Sequence, residues 1–328
     1  MNILVTGATR FLGRHLVKAL LADGHSVTAT GRNTEVALSL IELGAKFIAA
    51  DLSNDRYIPC LCAQQQAVVH CAEKSSTWGD YFDFYKINVA ATKSLLSASV
   101  DAGVQRFIHV STPSLYFNFR DEFAITEQHC LPEKPANHYI ATKRIAELLV
   151  HQAADCGLSA ITLRPQCLFG PGEKVIPGRL KNLRDGDAIS LIDNGVALTD
   201  ITYVENVVHA IQLALSADRR YSGKVYNITN NESVSLKELL KQFFTAMNWS
   251  FVPKNISYRF AYNKALGQEL LANFMSGRPE PKLTRYLVGI LGKSQTLDIS
   301  RAQEDLGYMP KVSLADGIQR YAAWLNTV

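Results

Sequence analysis

No two of the six cysteines (Cys60, Cys62, Cys71, Cys130, Cys156 and Cys167) stand in a CxxC pair or at a Cys/His ligand spacing. That argues against a zinc site and a dithiol redox motif and leaves buried, reduced thiols as the expectation. An excess of one charge is also lacking: 34 basic and 30 acidic residues leave a net +4, too little to recruit nucleic acid. No apolar run approaches the ~18 residues of a membrane span. No charged segment precedes an apolar core near the start, as a signal peptide would require. Repeats and low-complexity tracts are absent too. What remains is an ordinary composition, 47% hydrophobic and 20% charged over 328 residues, enough for about two domains or one large α/β domain with a cap. The expectation is a soluble, cytoplasmic protein with no nucleic-acid partner and no integral membrane segment.

What is present is alternation. Strand-like runs "NILVTG", "HSVTATG", "AKFIAADL", "AVVHCA", "RFIHVST" and "SAITLRP" are separated by helical patterns around residues 13–23, 34–43, 81–102 and 138–156. Short β-rich runs between helices of that length imply right-handed βαβ units and a parallel sheet covered on both faces, the doubly wound Rossmann order. Beyond residue 166 the pattern changes to a Gly/Pro cluster "FGPGEKVIPGRL", a strand-helix candidate "LTDITYVENVVHAIQLAL", a late strand "GKVYNIT" and a mainly helical stretch over 232–328. The predicted organisation is an NAD(P)-binding Rossmann domain over 1–165, with returning elements near 198–230, and a smaller, mainly helical substrate-binding domain over 166–328.

The first strand runs into Gly7, and Gly13 opens the helix that follows, the spacing of a phosphate cradle between strand and helix. Such a loop is a weak signal alone. Its position at the first strand strengthens it, as does the end of the second strand at Gly31-Arg32, where a dinucleotide fold meets the adenosine ribose. An acidic residue there would bind the ribose 2′-OH of NAD. A small residue followed by arginine instead makes room for a 2′-phosphate and neutralises it, which favours NADP(H) over NAD(H). Arg10 sits inside the loop, where a large side chain is unexpected. It is either a solvated loop cation or the second half of a clamp with Arg32 on that phosphate.

Further along, "NHYIATKRIAELL" sets Tyr139 and Lys143 four apart, on one face of a helix. The strand "RFIHVST" ends in Ser111 and Thr112, at the carboxyl edge of the sheet where ligands of open α/β folds bind.

"TGATRFLG", "STPSLY", "YIATK" and "LRPQCLFGPG", in that order, resemble the extended short-chain dehydrogenase/reductase superfamily of NAD-dependent epimerase/dehydratase type. "VVHCAEKSSTWGDYFDFYKINVAAT" and "SQTLDISRAQEDLGYMP" resemble its 3β-hydroxysteroid dehydrogenase-like branch. The resemblance implies that Tyr139 is the catalytic acid/base, that Lys143 binds the nicotinamide ribose, that Thr112 fills the Ser/Thr position and that Asn88 is the helix asparagine. It also implies a cofactor lying along Gly7, Thr9, Arg10, Phe11, Leu12, Gly13, Arg32, Asp51, Leu52, Cys71, Ala72, Tyr139, Lys143 and Pro165. Arg10 departs from the extended pattern, which has its middle glycine there. Against the other short-chain pattern, TGxxxGxG, Arg10 falls just before the middle glycine, where NADP-dependent members often carry a basic residue, and Phe11 stands in place of that glycine. The helices at 81–102 and 138–156 resemble those that pair across a two-fold axis in many members, which implies a homodimer.

Hydride transfer between nicotinamide and a carbonyl carbon requires a proton to move at the oxygen. Free tyrosine, with a pKa near ~10, is a poor base at neutral pH. Positive charge from Lys143 and the oxidised nicotinamide would favour tyrosinate, and Thr112 would donate a hydrogen bond to the developing alkoxide. Asn88 either holds a water behind Lys143 or kinks its helix. Asp51 either contacts the adenine edge or caps the next segment. His70 is expected to pack rather than react, and Arg164, Pro165 and Asp200 to organise the domain junction. Tyr258, Phe260, Tyr262, Phe274, Tyr286 and Leu287 would line an apolar pocket, pointing to a sterol-like or long-chain 3-oxo substrate. Lys174, Arg179, Lys181 and Arg184, with acidic residues interleaved, suit a solvated helix face better than a diphosphate site. A nucleotide-sugar epimerase or dehydratase with tightly held cofactor, and a non-catalytic NADP(H)-sensing regulator, are the alternative readings.

Overall fold

The computed structural model describes residues 1–173 and 188–327. Seven parallel strands form the central sheet, in the spatial order Val225–Ile228, Ala160–Pro165, Arg106–Val110, Ala67–His70, Asn2–Thr6, Ser26–Gly31, Lys46–Ala49. The inner strands are near-continuous apolar runs because helices cover both of their faces. Ile3, Val5, Val69, Ile108 and Ile161 face one layer, packed on helices Phe11–Ala22 and Val204–Ser216. Leu4, Val68, Phe107 and Ala160 face the other, with helices Ile58–Cys62, Ala91–Asp101 and His138–Asp155. This is the doubly wound Rossmann sheet with a helical C-terminal part. Chain order reverses between Asn2–Thr6 and Ala67–His70, and the loops leaving these two strands open a crevice at the carboxyl edge.

Two expectations need correction here. The helix expected over 81–102 is three pieces: Tyr81–Phe84, a π-helical turn Tyr85–Ala90, and Ala91–Asp101. The wider turn lets Asn88 turn its amide out of the helix while Thr92 Oγ1 donates to the Asn88 carbonyl at 2.7 Å. The cysteines are not uniformly buried either: Cys62 is, Cys71 is half-buried, and Cys60, Cys130, Cys156 and Cys167 are exposed. They sit on helix ends and loops, where the alternation of apolar residues carries no burial information.

The later part of the chain adds a small sheet not foreseen from its sequence, ordered Val234–Ser235, Leu198–Thr199, Gln295–Leu297, Glu122–Ile125. It ties residues beyond 290 to the loop that follows the Thr112 strand. Among the described residues no helix is long and apolar enough to cross a membrane.

Candidate active site

The candidate phosphate cradle is built from close backbone approach. Gly7 has φ +67°, and a Cβ there would stand 2.9 Å from the Ala72 backbone. A Cβ on Gly13 would meet the Gly7 carbonyl at 2.3 Å, so any side chain would push the first helix off the first strand. Gly31 is equally constrained, its absent Cβ lying 2.5 Å from Thr9 Oγ1. The helix starting at Phe11 has Arg10 at its N-cap and no side-chain acceptor on its first N–H groups, which leaves those donors for an anion. A cavity of about 560 Å³ opens in front of it, walled by Gly7, Thr9, Arg10, Thr30, Gly31, Arg32, Asn33, Ala50, Asp51, Leu52, Ala72, Glu73, Lys74, Ser75, Ser76 and Ile87. These residues fit a dinucleotide: glycines where backbone must approach, a free helix start, and cations at one end.

Of the cofactor residues expected from sequence, Gly7, Thr9, Arg10, Arg32, Asp51, Leu52 and Ala72 lie on this wall. Leu12 and Gly13 are buried behind it. Phe11 packs edge-on against His15 at 5.4 Å. Pro165 ends a buried strand, and burial pushes the Cys71 thiol up to about 12, so it is inert at neutral pH. Asp51 accepts from Ser53 N at 2.9 Å, a bond that holds its carboxyl below the usual range, and pairs loosely with Arg32 at 3.7 Å. The two arginines do share one cavity. They are held by different partners, however: Arg10 Nη1 donates to the main-chain carbonyl of Glu73 at 2.5 Å.

At the other end of the cleft, Asn137 caps the helix His138–Asp155 by accepting from Ile140 N at 2.9 Å. Tyr139 and Lys143 therefore project one turn apart toward the strand Arg106–Val110, 8% and 2% exposed. Lys143 Nζ donates to the Val110 carbonyl at 2.8 Å. Thr112 follows that strand, its Oγ1 3.0 Å from Ser114 Oγ, which in turn accepts from Tyr286 OH at 3.0 Å. Tyr286, from the helix Arg285–Gly292, packs with Phe84, Leu115, Phe117, Tyr139 and Ile140 in one apolar cluster.

The sequence reading missed Glu73. One oxygen of its carboxylate, Oε2, accepts from Tyr139 OH at 3.2 Å and lies 3.1 Å from Lys143 Nζ. The available signal was a charged residue shortly after the buried strand Ala67–His70, on the loop expected to follow the cofactor. The Glu73 carboxylate adds a negative charge beside the tyrosine. Burial first, then the Glu73 charge and Tyr286, raise the Tyr139 phenol well above its ordinary value, with the Thr112 hydroxyl acting in the other direction. Lys143 is spent on Glu73 rather than on the phenol.

The remaining expectations are placed as follows. Asn88 accepts from Lys74 N at 2.7 Å and donates to Lys74 O and Thr142 Oγ1, both at 3.1 Å, so its amide joins the Glu73–Lys74 loop to the tyrosine helix. His70 is buried between Thr6 Oγ1 at 2.8 Å and Thr92 Oγ1 at 2.9 Å, and burial, aided by the Lys143 charge, lowers it to about 3, so it stays neutral. Arg164 bonds Glu147 at 2.9 and 2.5 Å and Tyr116, while Asp200 accepts from Ser233 and from Leu297 N, all at element junctions. The aromatic pocket is smaller than expected. Tyr286 reaches the site, but Phe260 and Phe274 are 62% and 89% exposed, and Tyr258 and Tyr262 stack on each other at 5.9 Å. Their spacing in the sequence could not distinguish the inward from the outward face of their helix. Lys174, Arg179, Lys181 and Arg184 lie outside the described residues.

The NAD dependent epimerase/dehydratase family matches residues 3–229. An uncharacterized Escherichia coli protein, YbjS, is 38% identical over 99% of this chain and 98% of its own. A 2-alkyl-3-oxoalkanoate reductase of Stenotrophomonas maltophilia is 32% identical over 98% and 99%. A decarboxylating sterol-4-alpha-carboxylate 3-dehydrogenase of Mus musculus is 30% identical over 96% and 88%. Among solved structures, MoeE5 in complex with UDP-glucuronic acid and NAD superposes with a TM-score of 0.78 at 25% identity, covering 100% of this chain and 99% of that one.

Proposed function

The chain belongs to the NAD dependent epimerase/dehydratase family and is an NAD(P)-dependent dehydrogenase/reductase, and from that premise we propose that it interconverts an alcohol and a ketone on an apolar substrate with NADP(H), using Tyr139 as acid/base. The observation that carries this reading is the buried group of Tyr139, Lys143 and Thr112 set among Phe84, Leu115, Phe117 and Tyr286 at the carboxyl edge of the sheet. The phenol ring is packed in hydrocarbon while its oxygen meets a carboxylate. The reductase and sterol dehydrogenase relatives support an apolar ketone or alcohol with a 3-oxo or 3-hydroxy group.

A nicotinamide held in the cleft would supply or accept the hydride. Tyr139 gives the matching proton to the substrate oxygen in reduction and removes it in oxidation. Thr112, whose hydroxyl proton now goes to Ser114 Oγ, redirects it to the same oxygen and stabilises negative charge there. Lys143, anchored on Val110, holds the ribose and, once released from Glu73, lends its charge to the phenol. Asn88 positions the loop rather than the reacting atoms. At the far end, Arg32 on the cavity wall neutralises a 2′-phosphate. Val100 and Leu148, 55% exposed on the helices Ala91–Asp101 and His138–Asp155, support a homodimer through those helices.

Two measurements test this. Calorimetric titration with NADPH and NADH should show a preference for NADPH that falls roughly tenfold or more in Arg32→Ala, as loss of a charge-assisted contact implies. Equal binding of the two cofactors would sink the NADP(H) assignment. NADPH oxidation should proceed with 2-alkyl-3-oxo acids or 3-oxosteroids; turnover of sugar nucleotides alone would replace this reading with the epimerase one.

A further inference from the structure

Glu73 is on the wall of the cavity that fits the dinucleotide, whereas Tyr139, Lys143 and Thr112 are not, and the Glu73 carboxylate bonds the first two. Resting on the reading above, in which the nicotinamide ribose must reach Lys143, we propose that Glu73 is a displaceable latch. Its carboxylate takes the hydrogen bonds of Tyr139 and Lys143 that the cofactor needs, and binding proceeds by turning it out.

The surroundings of Glu73 make this a built arrangement. Arg10 holds its carbonyl, and the next residue, Lys74, is held at both its N–H and its C=O by the Asn88 amide. The backbone at 73–74 is thus tied to the glycine loop on one side and to the helix bundle on the other. These bonds restrain the backbone and leave the Glu73 side-chain torsions unrestrained by it. Its side chain is 24% exposed toward the cavity, so rotation carries the carboxylate into solvent, while Lys143, 2% exposed, cannot follow. One carboxylate oxygen satisfying both a buried ammonium and a buried phenol resembles what a ribose hydroxyl would do, with a charge added. The position of Arg10 gains a reason here as well: it fixes the loop on which the latch swings.

A protein whose binding-competent state is only a fraction of the population shows an affinity reduced by that fraction. Removing the latch should therefore tighten cofactor binding while leaving a buried Lys143 without its counter-charge. Glu73→Ala, Glu73→Gln and Glu73→Asp would each be titrated with NADPH by calorimetry and melted with and without saturating NADPH. The latch predicts NADPH Kd values lower by about tenfold in Glu73→Ala, on the population argument, and lower in Glu73→Gln. It predicts a reduced Tm without nucleotide and a larger NADPH-induced rise in Tm than for the wild type. Glu73→Asp keeps the charge but loses the reach, so it too should bind more tightly. If Asp behaves as wild type while Ala and Gln tighten, charge near the phosphates and not occlusion is responsible, and the latch is overturned. Unchanged or weaker binding in all three also overturns it, because Glu73 would then be a bystander or itself a cofactor ligand. A merely structural role would weaken binding and stability together. Wild type binding NADPH with no tightening in the variants removes this inference alone. No dinucleotide bound by any of the four chains removes the functional reading and the latch with it.

Discussion

At the phosphate end of the cleft the shape comes from missing side chains: Gly7, Gly13 and Gly31 let a loop, a helix and a neighbouring strand approach within distances that any Cβ would break. At the reacting end it comes from side chains that burial forces together: Glu73, Thr112, Tyr139 and Lys143 arrive from three separate stretches of chain and satisfy one another or the backbone. The first end takes its shape from volume, the second from charge. Substitutions that alter one and not the other separate the two.

The largest expected effect is at the reacting end. Tyr139→Phe removes one oxygen and almost no volume, and should lower turnover by about 10²–10⁴-fold, the usual worth of a positioned acid/base, while the NADPH Kd moves little. Gly13→Ala should do the opposite. Its methyl group would stand 2.3 Å from the Gly7 carbonyl, costing roughly 1–3 kcal/mol in displaced backbone, and NADPH binding should weaken before chemistry does. Steady-state rates and calorimetric Kd values on both variants check the contrast; a Tyr139→Phe enzyme with a tenth or more of wild-type turnover would break it.

Next in size is the buried pair beneath the reacting end. Arg164 donates to both oxygens of Glu147 at 2.9 and 2.5 Å, with side chains 6% and 9% exposed. Glu147→Ala leaves the guanidinium uncompensated and should cost about 3–5 kcal/mol in urea unfolding. A loss below about 1 kcal/mol would mean that the pair is solvated and the reacting end less sensitive to charge than its geometry implies.

This division also explains what could be read from the chain in advance. The glycine loop, the apolar strands and the Tyr139–Lys143 spacing are local, each set by residues within a turn or a strand of one another. Glu73 meets Tyr139 and Lys143 across 66 and 70 positions, and a glutamate in a loop carries no mark of the partner it will find. The π-helical turn at Asn88 was equally hidden, because its cause is the amide bonding to Lys74, fourteen positions back. Phe260 and Phe274 were misplaced for a related reason: a helix apolar on several sides gives no direction to its face, and only packing chose Ala261 and Ala265 for the inside.

Burial without charge makes a milder prediction at the same end. His70 titrates at about 3 in the folded protein against an ordinary 6.5, chiefly through burial and then through Lys143. Below pH 6.5 the unfolded chain takes up a proton that the folded one refuses until about 3. Stability is therefore fully present above 6.5 and is lost as the pH falls toward 3. At about 1.4 kcal/mol per pH unit this amounts to roughly 1–2 kcal/mol between pH 7 and 5.5, and His109, shifted the same way by burial and then by Lys143 and His70, adds to it. Urea unfolding at the two pH values should show the fall, and His70→Gln should flatten it. No change in slope would place a proton on the folded histidine and contradict its neutral bonding to Thr6 and Thr92.

The smallest effect belongs to the phosphate end and is the sharpest check on its local character. Asn33 stands on the cavity wall beside Arg32 and caps the helix Thr34–Glu42, its Oδ1 accepting from Val36 N at 3.0 Å. Losing an N-cap costs about 1 kcal/mol, and nothing in this contact reaches Tyr139 or Lys143. Asn33→Ala should therefore lower stability by about that amount and loosen NADPH no more than a few-fold by shifting Arg32, with turnover at saturating cofactor unchanged. Turnover that fell with the cap would show the two ends to be mechanically coupled. The tie between them would then run through the bond from Arg10 to the Glu73 carbonyl, which joins the glycine loop to the loop of the latch.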